Sequence, residues 1–280
     1  MIKYKVIENF INEDKCSELI KDAEVILTKN SEREILNNNR QSVFSTSIIF
    51  NELLSKSKIW KDLNEKLYSN EFYLDTLKEL NLDKSKFELT NFFFKNKLNS
   101  IEKKYKNLIN KKFSYLKTGT LFKLLMLRVY KEILFKVKFF FKKKINLELL
   151  FDFSISQKGY KREIHRDSDS RVIVFLLYLN SFKNIGEGGD LNLHELVDKD
   201  KKNIPAQPKD KNCRIVKTLS PKAGNLVLFL NTADAFHSVS EMIGEEKRYF
   251  LYGSYTALNK KNPLIKNSAD KLKTEFFLSH

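Results

Sequence analysis

From Ile164 to Asn180 the chain reads IHRDSDSRVIVFLLYLN. The part from Arg171 to Asn180 is made almost entirely of β-branched, aromatic and aliphatic residues, the composition of a buried strand. Just ahead of it stand His165 and Asp167. In an extended segment residues two apart project to the same side, so an imidazole and a carboxylate converge there on one point that a single metal ion could bridge. An H-x-D triplet alone is weak evidence for a metal site. What surrounds it decides its worth.

Downstream, FDFSIS (151–156), GDLNLHEL (189–196), RIVKTLS (214–220), NLVLFLN (225–231) and RYFLYGSYTA (248–257) repeat the same texture, separated by Gly, Pro, Asn and Lys. The second half therefore reads as a sheet or barrel. Upstream, Cys16, Leu19, Ile20, Ala23, Ile26 and Leu27 have the spacing of one helical face, with Asn12 or Asp14 as the cap. Gln41 to Phe50 favours an extended segment, and Ser57 to Leu82 reads as helical around Ile59, Trp60, Leu63 and Leu67.

The 280 residues suffice for one large domain or two small ones, and 42% apolar with 31% charged residues, eight Gly and four Pro exclude collagen-like and low-complexity chains. No apolar stretch reaches the roughly 18 uncharged positions of a bilayer-spanning helix. The N-terminus lacks the apolar core of a signal peptide. Two cysteines, Cys16 and Cys213, are too few for a disulfide framework, so a cytoplasmic location is expected. The formal charge of +16 is local: residues 84–144 carry 18 Lys or Arg against three acids, leaving 33 basic and 32 acidic residues elsewhere. Within that segment LFKLLMLRVYKEILFKVKFFF (121–141) has the pattern of a basic amphipathic helix. Three readings of it stay open: a helix packed on the main domain with a solvated Lys face, peripheral contact with an anionic membrane surface, and nucleic-acid binding. The last is the weakest, because Lys outnumbers Arg and no nucleic-acid-binding motif accompanies the charge.

The order of motifs is more specific than any one of them. His165-x-Asp167 is followed by a YLN strand ending at Asn180, a Gly188-Gly189-Asp190 turn, the strand Pro221 to Phe229, His237-Ser238-Val239, and Arg248 eleven residues after that histidine. This set resembles the 2-oxoglutarate/Fe(II)-dependent oxygenases, in particular the prolyl-4-hydroxylase-like branch, over about residues 151 to 258. The opening Val6 to Ile11, with Cys16, Leu19 and Ile20, is similar to that branch's N-terminal entry. The resemblance implies a double-stranded β-helix, a jelly-roll-like barrel of two antiparallel sheets with an α+β, mainly β core. It implies His165, Asp167 and His237 as ligands of Fe(II), and Arg248 holding the distal carboxylate of the cosubstrate 2-oxoglutarate. It further implies O2 as oxidant, ascorbate as an optional reductant, and hydroxylation of an unidentified small molecule or peptide with release of succinate and CO2. Two imidazoles and a carboxylate on one face of an octahedron leave three adjacent positions open for such chemistry. A guanidinium suits the carboxylate because its planar fork stays ionised. Asp167 is a carboxylate, which disfavours the halogenating relatives.

Tyr178, of the YLN strand, is a further candidate for cosubstrate binding, although alternation alone leaves open which face it takes. Asn225, Tyr252 and Ser254 are weaker candidates for the pocket. Ser156 departs from the family, many of whose members carry a cosubstrate-binding Tyr at that place. Arg166 and Arg171 read as rim or pairing residues, His194 as structural, and His280 as exposed. The expected organisation is 1–83 helical support, 84–150 basic helical insertion, 151–260 catalytic core and 261–280 tail. A cupin-type metal- or ligand-binding barrel without oxygenase activity is the alternative; it has no need of Arg248.

Overall fold

The computed structural model describes residues 2–29, 36–37, 39–90, 144–182, 186–198, 205–208, 212–258 and 262–265. Its strands are β1 (Tyr4–Ile7), β2 (Leu36–Asn37), β3 (Arg40–Phe44), β4 (Phe87–Leu89), β5 (Ile145–Ser156), β6 (Arg162–His165), β7 (Arg171–Tyr178), β8 (Leu191–Leu196), β9 (Cys213–Leu219), β10 (Leu226–Leu230), β11 (Phe236–Val239) and β12 (Arg248–Ala257). Four helices, α1 (Glu13–Lys29), α2 (Ile48–Lys56), α3 (Lys58–Leu67) and α4 (Asn70–Glu79), come from the first third of the chain. Serines stand where the last three begin: the Oγ atoms of Ser47, Ser57 and Ser69 accept from the main-chain N–H groups of Phe50, Trp60 and Phe72, which satisfies donors a helix start leaves over.

The larger sheet runs β1-β10-β7-β12-β5-β3-β2, with β4 parallel to β5, and the smaller runs β6-β11-β8-β9. From β5 to β12 the chain passes back and forth between the two sheets, all of these pairings being antiparallel. This is the double-stranded β-helix the resemblance implied, as two facing sheets that do not close into a barrel among the described residues. Val174, Leu176, Tyr178, Val227, Phe229 and Phe250 of the larger sheet meet Leu191 and Leu193 of the smaller one. The opposite face of the larger sheet, including Phe153, Phe175, Leu177 and Leu251, packs on the helices. Both faces being covered explains why β7 and β10 are apolar without alternation.

The expected extended segment Gln41 to Phe50 divides: β3 ends at Phe44 and α2 begins at Ile48, behind the Ser47 cap. The basic helix expected at 121–141 lies outside the described residues. The described ends of the 84–150 segment are a 3-10 turn, β4 and the first half of β5, so strand rather than helix borders it on both sides. Among the described residues no helix is long and apolar enough to cross a membrane.

Candidate functional site

β6 ends at His165, and β11 lies beside it with His237 directly opposite. The two rings stand with their centroids 4.3 Å apart. Asp167 follows two residues after His165, and one ligand atom from each of the three lies within 4.8 Å of the others. The three side chains singled out in sequence are thus brought together by one cross-strand pair and one short extended step.

Each ligand candidate has its spare atom engaged elsewhere. His165 Nδ1 lies 2.8 Å from the carbonyl oxygen of Glu163, and His237 Nδ1 lies 3.4 Å from that of Ala235. With Nδ1–H donating to those carbonyls, the Nε2 lone pairs are left to the cluster. Burial lowers the pKa of both imidazoles, and for His165 the neighbouring His237 adds to it; this favours the neutral form that a metal ligand takes. For Asp167 burial acts to raise the pKa, but His237, Arg171 and the Tyr252 hydroxyl outweigh it and hold the carboxyl below the usual carboxylate range. Asp167 Oδ1 accepts from Arg171 Nη1 at 2.7 Å and from the Tyr252 hydroxyl at 2.6 Å. Its Oδ2 is buried without a hydrogen bond among the described residues and lies 3.6 Å from His237 Nε2. Ligands of a first-row metal with bonds of about 2.1 Å stand about 3 Å apart when adjacent. A buried, unpaired carboxylate oxygen facing two neutral imidazole nitrogens fits an Fe(II) ion.

The second half of the site lies on the inner face of the larger sheet. Arg248 is 1% exposed and pairs across β12 and β5 with Ser156. Its Nη1 donates to the carbonyl oxygen of Gly189 at 2.5 Å, and its guanidinium carbon lies 4.3 Å from the Phe250 ring centroid and 5.4 Å from that of Tyr178. The carbonyl is available because the Gly188-Gly189 turn runs close under another loop: Gly188 has φ +80°, and a Cβ there would stand 1.8 Å from the Glu241 oxygen. Arg248 Nε, the Tyr178 hydroxyl and Ser156 Oγ are all buried without hydrogen-bond partners among the described residues. Burial is the main cause that lowers the Arg248 pKa and raises that of Tyr178. Buried polar groups are normally satisfied, and a cation with two hydroxyl groups on one sheet face fits a carboxylate.

Tyr178 faces inward with Phe250, while Leu177 and Leu179 turn to the helices; this settles the alternation left open in sequence. Asn225 sits apart, its Oδ1 accepting from the main chain of Asn9 and so fastening the N-terminal strand. Ser254 bonds with Thr256. His194 pairs with Ser238, Arg166 ties Ala233 to Asp169, and His280 lies outside the described residues. Two residues gain a place that sequence reading did not give them. Arg171 reaches the Asp167 carboxylate itself. Arg40, on β3, lies across Phe250 and Tyr252 and bonds Asp152 at 2.8 Å and Ser154 at 2.9 Å. No local signal reveals Arg40, whose partners are over a hundred residues away.

Residues 151–255 match the model of the 2OG-Fe(II) oxygenase superfamily. Over that stretch the chain is similar to the superfamily. Over 171 residues, 59% of the chain, the protein is 29% identical to prolyl 3-hydroxylase OGFOD1 of Xenopus laevis, and the match covers 30% of that relative. The chain therefore spans less than a third of the curated relative's length. Among solved structures it is similar to a prolyl-4-hydroxylase of Pseudomonas putida (13% identity, 92% of this chain and 94% of that one, TM-score 0.43). It is also similar to a prolyl hydroxylase of Trichoplax adhaerens (11%, 91% and 84%, TM-score 0.47). The superfamily's name carries the cofactors Fe(II) and 2-oxoglutarate.

Proposed function

We propose that this protein is an Fe(II)- and 2-oxoglutarate-dependent dioxygenase that hydroxylates a substrate still to be identified. The observation that carries the reading is the convergence of His165, Asp167 and His237, each presenting a ligand atom within 4.8 Å of the others, beside the buried and incompletely bonded guanidinium of Arg248.

In this reading His165 and His237 bind the ion through neutral imidazoles whose orientation is set by the Glu163 and Ala235 carbonyls. Asp167 binds through Oδ2. Bound Fe(II) supplies the redox chemistry that couples O2 to the decarboxylation of 2-oxoglutarate, giving succinate, CO2 and one oxygen atom for the substrate. Arg248 holds the far carboxylate of the keto acid, with Tyr178 and Ser156 as hydrogen-bond partners, and the Gly189 carbonyl keeps the guanidinium aimed. Phe229, packed edgewise on His237 with centroids 5.0 Å apart, covers that ring with an apolar face. Cytoplasmic location and membrane contact through 84–144 are kept as further proposals, resting on sequence composition.

The test is purified protein supplied with Fe(II), 2-oxoglutarate and ascorbate as reductant. Slow conversion to succinate without added substrate is expected. Silence with iron demonstrably bound would turn the assignment to the cupin-type binding barrel.

A further inference from the structure

The hydrogen bonds of Asp167 are one-sided. A buried arginine–carboxylate pair placed for its own stability commonly uses both oxygens in a fork. Here Arg171 donates from Nη1 to Oδ1, and the Tyr252 hydroxyl donates to the same oxygen, while Oδ2 has neither. Arg171 Nη1 also donates to the Tyr252 oxygen, so phenol, guanidinium and carboxylate close a triangle. The Tyr252 ring lies under two cations, 4.9 Å from the guanidinium carbon of Arg171 and 5.4 Å from that of Arg40. The main chain of Arg171 is fixed as well: its carbonyl oxygen accepts from Asn231 Nδ2 at 3.0 Å and from Asn262 Nδ2 at 2.5 Å. Asn231 and Asn262 are both fully buried, and Asn262 lies beyond the stretch that matches the superfamily.

We propose that Tyr252 and Arg171 are positioning residues that clamp Asp167 Oδ1, so that the carboxylate meets the metal through Oδ2 alone. The inference rests on reading His165, Asp167 and His237 as the iron centre. A carboxylate free to turn can offer both oxygens to one ion, and the second would take a coordination position that the keto acid or O2 needs. Two donors fixed on Oδ1 prevent the turn and draw charge from the ligand.

The experiment titrates Fe(II), and separately Co(II) as a coloured probe, into the full-length protein and its Tyr252→Phe and Arg171→Gln variants without 2-oxoglutarate, with thermal melts confirming folding. Loss of an outer-shell partner typically weakens metal binding about 10- to 100-fold. A loss of that size in both variants is expected, with an altered Co(II) ligand-field spectrum and partial recovery in Arg171→Lys. Unchanged affinity and an unchanged Co(II) spectrum in the folded variants would overturn the clamp. If one variant fails to fold, the other decides. Failure of the wild-type protein itself to bind either ion would instead remove the iron-centre reading on which the clamp stands.

Discussion

His165 and His237 stand opposite each other on β6 and β11, and each turns Nδ1 to the carbonyl oxygen of the residue two positions earlier. The strand that carries each imidazole thereby also orients it, and neither ring needs a distant partner. Removing an imidazole or the carboxylate leaves two ligands, so His165→Ala and Asp167→Ala are expected to lose tight iron binding in a metal titration. Arg248 touches none of the three. Arg248→Ala is expected to keep iron and to weaken 2-oxoglutarate binding by about 2–5 kcal/mol, as when one partner of a buried charge pair is removed. Calorimetry with the iron-loaded protein measures this, and equal iron loss in all three variants would contradict the division of roles. The H-x-D spacing made His165 and Asp167 legible in sequence, because two residues in an extended chain share a side. Arg171 was visible only as a charge near the motif. That it folds back onto Oδ1 depends on the course of residues 168–170 and on the asparagines that hold its carbonyl.

The elements around the site depend on the helices behind the larger sheet. Trp60 on α3 is fully buried: it packs edgewise on Phe50 and Phe153 at centroid distances of 5.8 and 5.1 Å, and its indole N–H donates to the Leu19 carbonyl at 2.8 Å. One side chain thus joins α1, α2, α3 and β5, the strand whose inner face presents Ser156. Trp60→Ala leaves a large cavity and an unpaired carbonyl, with an expected cost of about 3–5 kcal/mol, read as a lower urea midpoint. An unchanged midpoint would show that the helices contribute little to the sheet. Helical spacing from Asn12 to Asn30 and around Trp60 foretold α1 and α3. It did not foretell where β3 ends, since Val43, Phe44, Ile48, Ile49 and Phe50 form apolar clusters that suit strand or helix; the Ser47 cap and the turn at 45–47 decide it.

At the scale of the molecule, the larger sheet is a wall between two cores, one shared with the helices and one enclosed by the smaller sheet. Strands that precede the matched stretch form both of its edges, β1 at one and β3 with β2 at the other. The matched stretch 151–255 therefore does not contain its own outer cover. A fragment beginning at residue 151 lacks that cover and the first half of β5, and is expected to aggregate; a soluble fragment with a cooperative melt would refute the dependence. In thiol labelling of the native protein, half-exposed Cys213 is expected to react before Cys16, whose thiol burial pushes up to about 11. Mass spectrometry of the labelled peptides separates the two, and faster labelling of Cys16 would mean that the helical cover opens readily. The order of short motifs, from His165 to Arg248, made the sheet-rich core legible, since strand composition and two-residue periodicity are local properties, and the three ligand candidates came from the family resemblance that this order carries. Only the tertiary structure decided that Tyr178 faces inward, that Arg40 reaches the site, and that Arg171 and Tyr252 share one oxygen of Asp167. Those facts depend on register between strands far apart in sequence, and register follows from how two apolar faces and a set of buried polar groups are satisfied together.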